Sequence, residues 1–67
     1  MMEPEDVRLL ETYLWGWADE QDERPEPAYL QGLYKRAYKL GRLDSEVNSV
    51  LANSQTDSQI LQKIKNI

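Results

Sequence analysis

Apolar side chains in this chain recur at intervals of three and four residues, the spacing that places them on one face of an α-helix. The first such stripe contains Val7, Leu10, Leu14 and Trp17, and later stretches repeat the same spacing. No segment alternates apolar and polar residues in the manner of a half-buried strand. The pattern therefore predicts an all-α fold, a small bundle of three to four helices with the last two short, and one domain spanning residues 1–67.

Residues that start and end helices set the expected boundaries. Pro27 suits the first turn of a helix, Gly41 suits a left-handed cap after the last turn, and Asp44 suits the position before a new helix. Thr56, followed three residues later by Gln59, matches a capping box. The predicted helices lie at about 4–20, 27–40, 45–52 and 57–66, and an acidic, proline-rich connector lies at 21–27.

The charge of the chain is unevenly distributed along its length. The net charge is −4, but residues 1–27 contain nine acidic and two basic residues, while residues 28–67 contain three acidic and six basic residues. The two parts therefore have opposite signs. We expect this asymmetry to hold the two parts of the fold together, and the alternative is that it marks a binding face for a charged partner.

The residue inventory lacks the side chains on which most catalytic and metal sites depend. The 67 residues include no cysteine and no histidine, which excludes disulfides, thiolate chemistry and imidazole ligands or bases. The serines have no histidine to activate them, and the three glycines form no phosphate-binding loop. We expect a protein that is not an enzyme and that uses no metal, no cofactor and no small-molecule substrate.

The N-terminal residues and the hydropathy of the chain argue against a membrane partner. Residues 1–6 are acidic, whereas a secretory signal begins basic and continues apolar. No apolar run approaches the roughly 18 residues that a membrane span requires. Because a chain without cysteine fits a reducing compartment, we expect a cytoplasmic protein.

Two groups of side chains do not fit the predicted core and are candidates for partner binding. Trp15 lies off the apolar stripe of the first helix, and an exposed tryptophan is a strong anchor for a protein partner. Lys35, Lys39 and Arg42 fall on one helical stripe, with Tyr38 beside it. The alternatives are that neighbouring helices grip Trp15 from two sides and that the basic stripe is an ordinary solvated face.

Residues 33–52 resemble a helix-turn-helix in the spacing of their small, apolar and turn-forming residues. The matching positions are Ala37, Leu40, Gly41, Val47 and Val50. Arg42 departs from the pattern, which has an apolar residue there. In this interpretation Asn48 and Ser49 face the bases, and the basic stripe holds phosphates.

These features favour a non-catalytic protein-interaction module, an adaptor or regulator that binds a protein partner or associates with itself. The predicted contact residues are Trp15, Tyr38, Lys35, Lys39 and Arg42. A helix-turn-helix-like nucleic-acid-binding regulator is the alternative. The negative net charge of the chain disfavours that alternative, because DNA-binding domains are usually basic.

Overall fold

The fold of this chain is built from three helices. The computed structural model describes residues 2–47 and 56–65. Within these two ranges the chain forms α1 (Pro4–Gln21), α2 (Gly32–Val47) and α3 (Asp57–Lys65) and no strand. The predicted all-α bundle is therefore confirmed, and three helices are seen in these ranges.

The first helix follows the sequence prediction closely. Pro4 occupies its first turn, where a missing backbone N–H costs nothing, and Glu5 and Asp6 complement the positive end of the helix dipole. The helix ends at Gln21, one residue beyond the predicted end. Glu23 then adopts a left-handed backbone conformation, with φ of 58°, which turns the chain away from the helix axis.

The second helix differs from the prediction at both ends. It begins at Gly32 instead of Pro27, so the connector between the helices covers residues 22–31. Gly41 was predicted to end this helix, but it lies inside α2, which continues to Val47. Asp44, predicted to start a new helix, also lies inside α2, so the predicted boundary at this point is wrong. The rest of the predicted helix at 45–52 falls outside the described residues.

The third helix of the structure confirms the prediction for residues 57–66, apart from its last residue, which lies outside the described residues. The backbone N–H of Thr56 donates to Gln59 Oε1 at 3.1 Å, and the backbone N–H of Gln59 donates to Thr56 Oγ1 at 3.2 Å. This is the predicted capping box, and it fixes the start of α3. Ile60 and Ile64 then fall on one side of the helix and are buried.

The core forms where these isoleucines meet α1 and α2. Leu9, Tyr13, Ala37, Ile60 and Ile64 form one buried cluster, and half-buried side chains from all three helices pack around it. Each member lies at least 90% out of solvent, and Leu9, Ala37 and Ile64 are completely inaccessible. The core is therefore small and depends on all three helices.

The buried face of α1 is not the face that its apolar stripe predicted. Val7 remains 41% exposed and Leu14 remains 61% exposed, whereas Leu9 is fully buried. Leu10 and Trp17 are only partly buried at the edge of the core. The helix is rotated relative to the predicted orientation, so its most regular apolar stripe lies on the outside.

Two glycines explain this rotation, because α1 and α2 touch through their backbones. A Cβ atom at Gly16 would overlap the carbonyl oxygen of Tyr38 and lie 2.9 Å from its carbonyl carbon. A Cβ atom at Gly41 would overlap the carbonyl oxygen of Tyr13 and lie 2.9 Å from the backbone nitrogen of Trp17. Only the faces that carry these glycines permit such a close approach, so packing selects them over the regular stripe.

Ion pairs join the acidic first part of the chain to the basic second part. Lys65 on α3 binds Asp6 on α1 with an Nζ–Oδ1 distance of 2.6 Å, and Arg42 on α2 binds Glu20 on α1 with an Nε–Oε1 distance of 3.1 Å. These contacts confirm the expectation that the charge asymmetry holds the two parts of the fold together.

Candidate protein-binding surfaces

Tyr38 is a structural residue in this fold and not an exposed contact residue. Its side chain is fully buried, and its hydroxyl donates a hydrogen bond to Asp19 Oδ2 at 2.6 Å. Arg42 Nη1 donates to the same hydroxyl oxygen at 3.0 Å. The prediction of Tyr38 as a partner-binding residue is therefore wrong, because the close contact at Gly16 brings Tyr38 against the end of α1.

Arg42 belongs to the same internal network. Besides its contacts with Tyr38 and Glu20, it donates from Nη1 to the backbone oxygen of Arg24 at 2.6 Å. The guanidinium therefore ties α2 to the end of α1 and to the connector. The predicted stripe of Lys35, Lys39 and Arg42 is accordingly divided, because the two lysines line a different surface.

The network changes the acid–base properties of two of its members. Burial, reinforced by the hydrogen bond to Asp19, raises the pKa of the Tyr38 phenol above its usual value. The hydrogen bond to Tyr38 raises the pKa of Arg42. Both raised pKa values keep the Tyr38 hydroxyl and the Arg42 guanidinium protonated, and both groups must be protonated to donate the hydrogen bonds of the network.

The raised pKa of Tyr38 predicts a loss of stability at alkaline pH. A folded-state pKa above the unfolded value of about 10 means that the contribution of Tyr38 is complete below pH 10 and is lost as the pH rises through the folded-state pKa. Near neutrality the wild type should therefore have a larger free energy of unfolding than Tyr38→Phe. This difference between the two proteins should become smaller above about pH 10. Urea unfolding of both proteins at the two pH values measures this. The same difference at both pH values would contradict the assignment.

A groove along α2 brings apolar and basic side chains together. It has a volume of about 690 Å³ and combines leucines with cations from α2 and α3. We call it the basic leucine groove, and its defining residues are Leu33, Leu40, Leu43, Lys35, Arg36, Lys39 and Lys63. Leu33 is 36% exposed, and Leu43 is 55% exposed. Apolar side chains and positive charge are thus presented to solvent together.

The positive charge of the basic leucine groove has little internal compensation. Lys63 pairs with Asp44 at 3.0 Å, but Lys35, Arg36 and Lys39 form no ion pair with any residue of 2–47 or 56–65. Lys35 and Lys39 are also four residues apart on one helix, a spacing at which like charges repel and destabilise the helix by a few tenths of a kcal/mol. This arrangement costs stability in the free protein, and an acidic ligand would relieve it.

A second cleft, between α1 and the connector, contains Trp15. Its volume is about 660 Å³, and its aromatic lining residues are Trp15, Tyr29 and Tyr34. The Trp15 ring lies edge-on to Tyr38, with centroids 5.5 Å apart, and 6.3 Å from the ring of Tyr29. Trp15 remains 37% exposed, so its role as a contact for a partner stays a prediction.

Tyr29 is a surface residue that the sequence pattern did not single out. It is 71% exposed and follows the two prolines of the connector, in a stretch that was predicted to be helical.

The chain does not turn at Gly41, where the helix-turn-helix interpretation requires a turn. Helix α2 runs without interruption through Gly41, where the motif requires the chain to change direction. Asn48 and Ser49 lie outside the described residues. The prediction of a turn at Gly41 is therefore wrong, because that glycine provides space for α1 instead of ending a helix.

The described part of the chain has neither a group of metal-binding side chains nor a membrane-spanning helix. Across residues 2–47 and 56–65, no three acidic side chains are grouped so that they could hold a metal ion. No helix in these ranges is long and apolar enough to cross a membrane. Comparison with protein-family models, with curated proteins and with solved structures found no match.

Proposed function

We propose that this chain is a non-catalytic protein-interaction module, an adaptor or regulator that binds an acidic amphipathic helix. The basic leucine groove is the proposed binding site. The observation that supports this proposal is the presence of three leucines beside three uncompensated cations on an otherwise acidic protein. Trp15, in the aromatic cleft, is a second candidate contact for a protein partner.

The spacing of the leucines matches what a helical ligand presents. Leu33 and Leu40 are seven residues apart on α2, which corresponds to about 10 Å along the helix axis. An amphipathic ligand helix presents its anchors at three, four and seven residues, so two of its anchors are also about 10 Å apart. Apolar contact then provides affinity, while the flanking charges set orientation and speed association.

Reversing two charges at the groove should abolish most of the binding without unfolding the protein. In the double variant Lys35→Glu and Lys39→Glu, each attraction becomes a repulsion, and both side chains are exposed in the free protein. We expect binding of a synthetic helical peptide with leucine anchors and glutamate flanks to weaken by about tenfold or more. Fluorescence anisotropy of the labelled peptide measures this, and circular dichroism checks the helix content.

A matched control is available within the chain. Arg8 is exposed, forms no ion pair within the described residues, and borders the aromatic cleft instead of the groove. Arg8→Glu should leave peptide binding within about twofold of the wild type. Because Arg8→Glu changes the net charge by half as much as the double variant, a loss of binding free energy half as large would show that net charge, and not the groove, governs binding. The proposal also fails if only labelled duplex DNA binds, with an affinity that falls steeply as salt rises.

We also propose that the protein is cytoplasmic, as its sequence predicts. The natural partner is best sought by purifying the tagged protein from its host under low-salt conditions. A partner that fits the proposal contains an acidic helix and is lost when the tagged protein carries the two lysine reversals. Fractionation of the host cells tests the compartment.

A further inference from the structure

The outer side of helix α1 carries two exposed apolar residues, and the apolar stripe that contains them continues to the edge of the core. Val7 and Leu14 lie seven residues apart on its outer side and are 41% and 61% exposed, respectively. Leu10 and Trp17 continue the stripe at the edge of the core and are partly buried. We call these four residues the outer α1 stripe. Single exposed apolar residues are ordinary, but a regular exposed stripe along a helix is a docking face.

The surroundings of the outer α1 stripe are acidic. Glu11 lies between Val7 and Leu14 on the same side of the helix, is exposed, and forms no ion pair within residues 2–47 and 56–65. Glu3 precedes Val7 by one helical turn and is also exposed. Of the five acidic residues of α1, Asp6 and Glu20 form ion pairs and Asp19 is buried, which leaves Glu5 and Glu11 exposed. Helix α1 therefore has the chemistry that the basic leucine groove requires of a ligand.

We propose that α1 of a second copy of this chain occupies the basic leucine groove. This inference rests on the proposed function and names the partner at that site. Val7 and Leu14 on one copy have the same seven-residue separation as Leu33 and Leu40 on the other, so two pairs of apolar side chains meet along the contact. Glu11 then lies against the cations of the groove, and the exposed side chains of Val7, Leu14 and Leu33 become buried.

Charge complementarity favours this contact over pairing between identical surfaces. Two outer α1 stripes placed together would bring acidic side chains such as Glu11 against one another. Two basic leucine grooves placed together would do the same with Lys35, Arg36 and Lys39. Like charges at an interface oppose association, whereas the mixed contact places opposite charges together.

A contact between two different surfaces has a consequence for the size of the assembly. A pair joined by one such contact keeps one unused groove, on the molecule that supplied the stripe, and one unused stripe, on the molecule that supplied the groove. Growth therefore continues to a closed ring or an open filament, and it does not stop at a dimer unless the geometry closes there.

Mixing two association-deficient variants tests the inference directly. The groove variant carries Lys35→Glu and Lys39→Glu, and the stripe variant carries Leu14→Arg, a change at an exposed position that repels the groove. Sedimentation velocity should show that the mean mass of the wild type rises with concentration, while each variant alone stays monomeric. An equimolar mixture should form a 1:1 complex, because one intact stripe and one intact groove remain. Ala28→Arg, at an exposed connector position outside both surfaces, should behave as the wild type does.

Each of the other possible outcomes contradicts the proposed self-association. If the stripe variant alone loses association and the groove variant does not, the contact pairs α1 with α1 and the inference is wrong. It is equally wrong if the mixture stays monomeric while both variants keep the wild-type helix content. A wild type that is monomeric at every concentration but binds the acidic peptide overturns self-association and leaves the proposed function intact. If it binds neither its own copies nor the peptide, both proposals fail.

Discussion

Replacing Gly16 with alanine should destabilise the protein by about 2 kcal/mol, although alanine is the better helix former. The added methyl group would overlap the backbone carbonyl of Tyr38, and no side-chain rotation can relieve an overlap between two backbones. The helices must separate, which also stretches the hydrogen bond between Tyr38 and Asp19. Gly41→Ala should act in the same direction, because its methyl group would overlap the carbonyl oxygen of Tyr13.

The magnitude follows from two opposing effects. Alanine in place of glycine in a helix interior is worth about 1 kcal/mol of added stability. Overpacking a contact that cannot relax costs about 1–3 kcal/mol, and sometimes more. The overlap at Gly16 is with backbone on a neighbouring helix, so we expect a cost at or above the upper end of this range. For a domain of this size the melting temperature should fall by roughly 8–16 °C.

Thermal unfolding followed by circular dichroism measures the effect, and Ala18→Gly calibrates it. Ala18 lies two residues further along α1 and is exposed, so its replacement reports helix propensity alone, a loss of about 1 kcal/mol. If Gly16→Ala instead raises the melting temperature, propensity dominates and the close contact between the helices is not present in solution.

Leu9→Ala and Leu14→Ala should differ widely in their effects on stability, although both remove the same atoms from one helix. Leu9 is completely buried in the core, so truncation leaves a cavity and costs about 2–5 kcal/mol. Leu14 is 61% exposed, and its truncation should change the free energy of unfolding by less than about 0.5 kcal/mol. A domain of about 70 residues has roughly 3–5 kcal/mol in total, so Leu9→Ala should be largely unfolded at room temperature.

Chemical unfolding of the two variants at low protein concentration measures this difference. Low concentration matters because association through the outer α1 stripe would add stability to the folded protein by mass action. The regular apolar stripe of the sequence predicts the reverse order, with Leu14→Ala the more damaging change. Finding that order would show that α1 buries the side containing Val7 and Leu14.

The helices themselves followed from local chemistry. The boundaries of α1 and α3 could be predicted because they depend on groups within one helical turn, such as Pro4 and the capping box of Thr56 and Gln59. The all-α class followed from the three-to-four-residue spacing, which no strand can use. Opposite charges on the two parts of the chain likewise predicted the attraction that the ion pairs confirm.

The candidate binding surfaces were only partly predictable. Lys35 and Lys39 were correctly placed on one exposed face, because both positions depend only on the helical period. Tyr38 and Arg42 share that region of the helix, but their hydroxyl and guanidinium groups are occupied by Asp19 and Glu20 on α1. A single-helix pattern contains no information about a hydrogen-bond partner on another helix. Only the folded structure therefore separates Lys35 and Lys39, which lie at the surface, from Tyr38 and Arg42, which belong to an internal network.

The amino-acid sequence by itself determined that this protein is helical, where α1 begins and ends, where α3 begins, and which parts attract each other. The tertiary structure alone decided which face of α1 is buried and which role Gly41 plays. Gly41 illustrates the physical reason, because a glycine that suits a helix end locally suits a backbone contact equally well. Only the presence of α1, with Gly16 facing the same crossing, selects between the two roles. That choice turned the most regular apolar stripe outward and made it a surface available for binding.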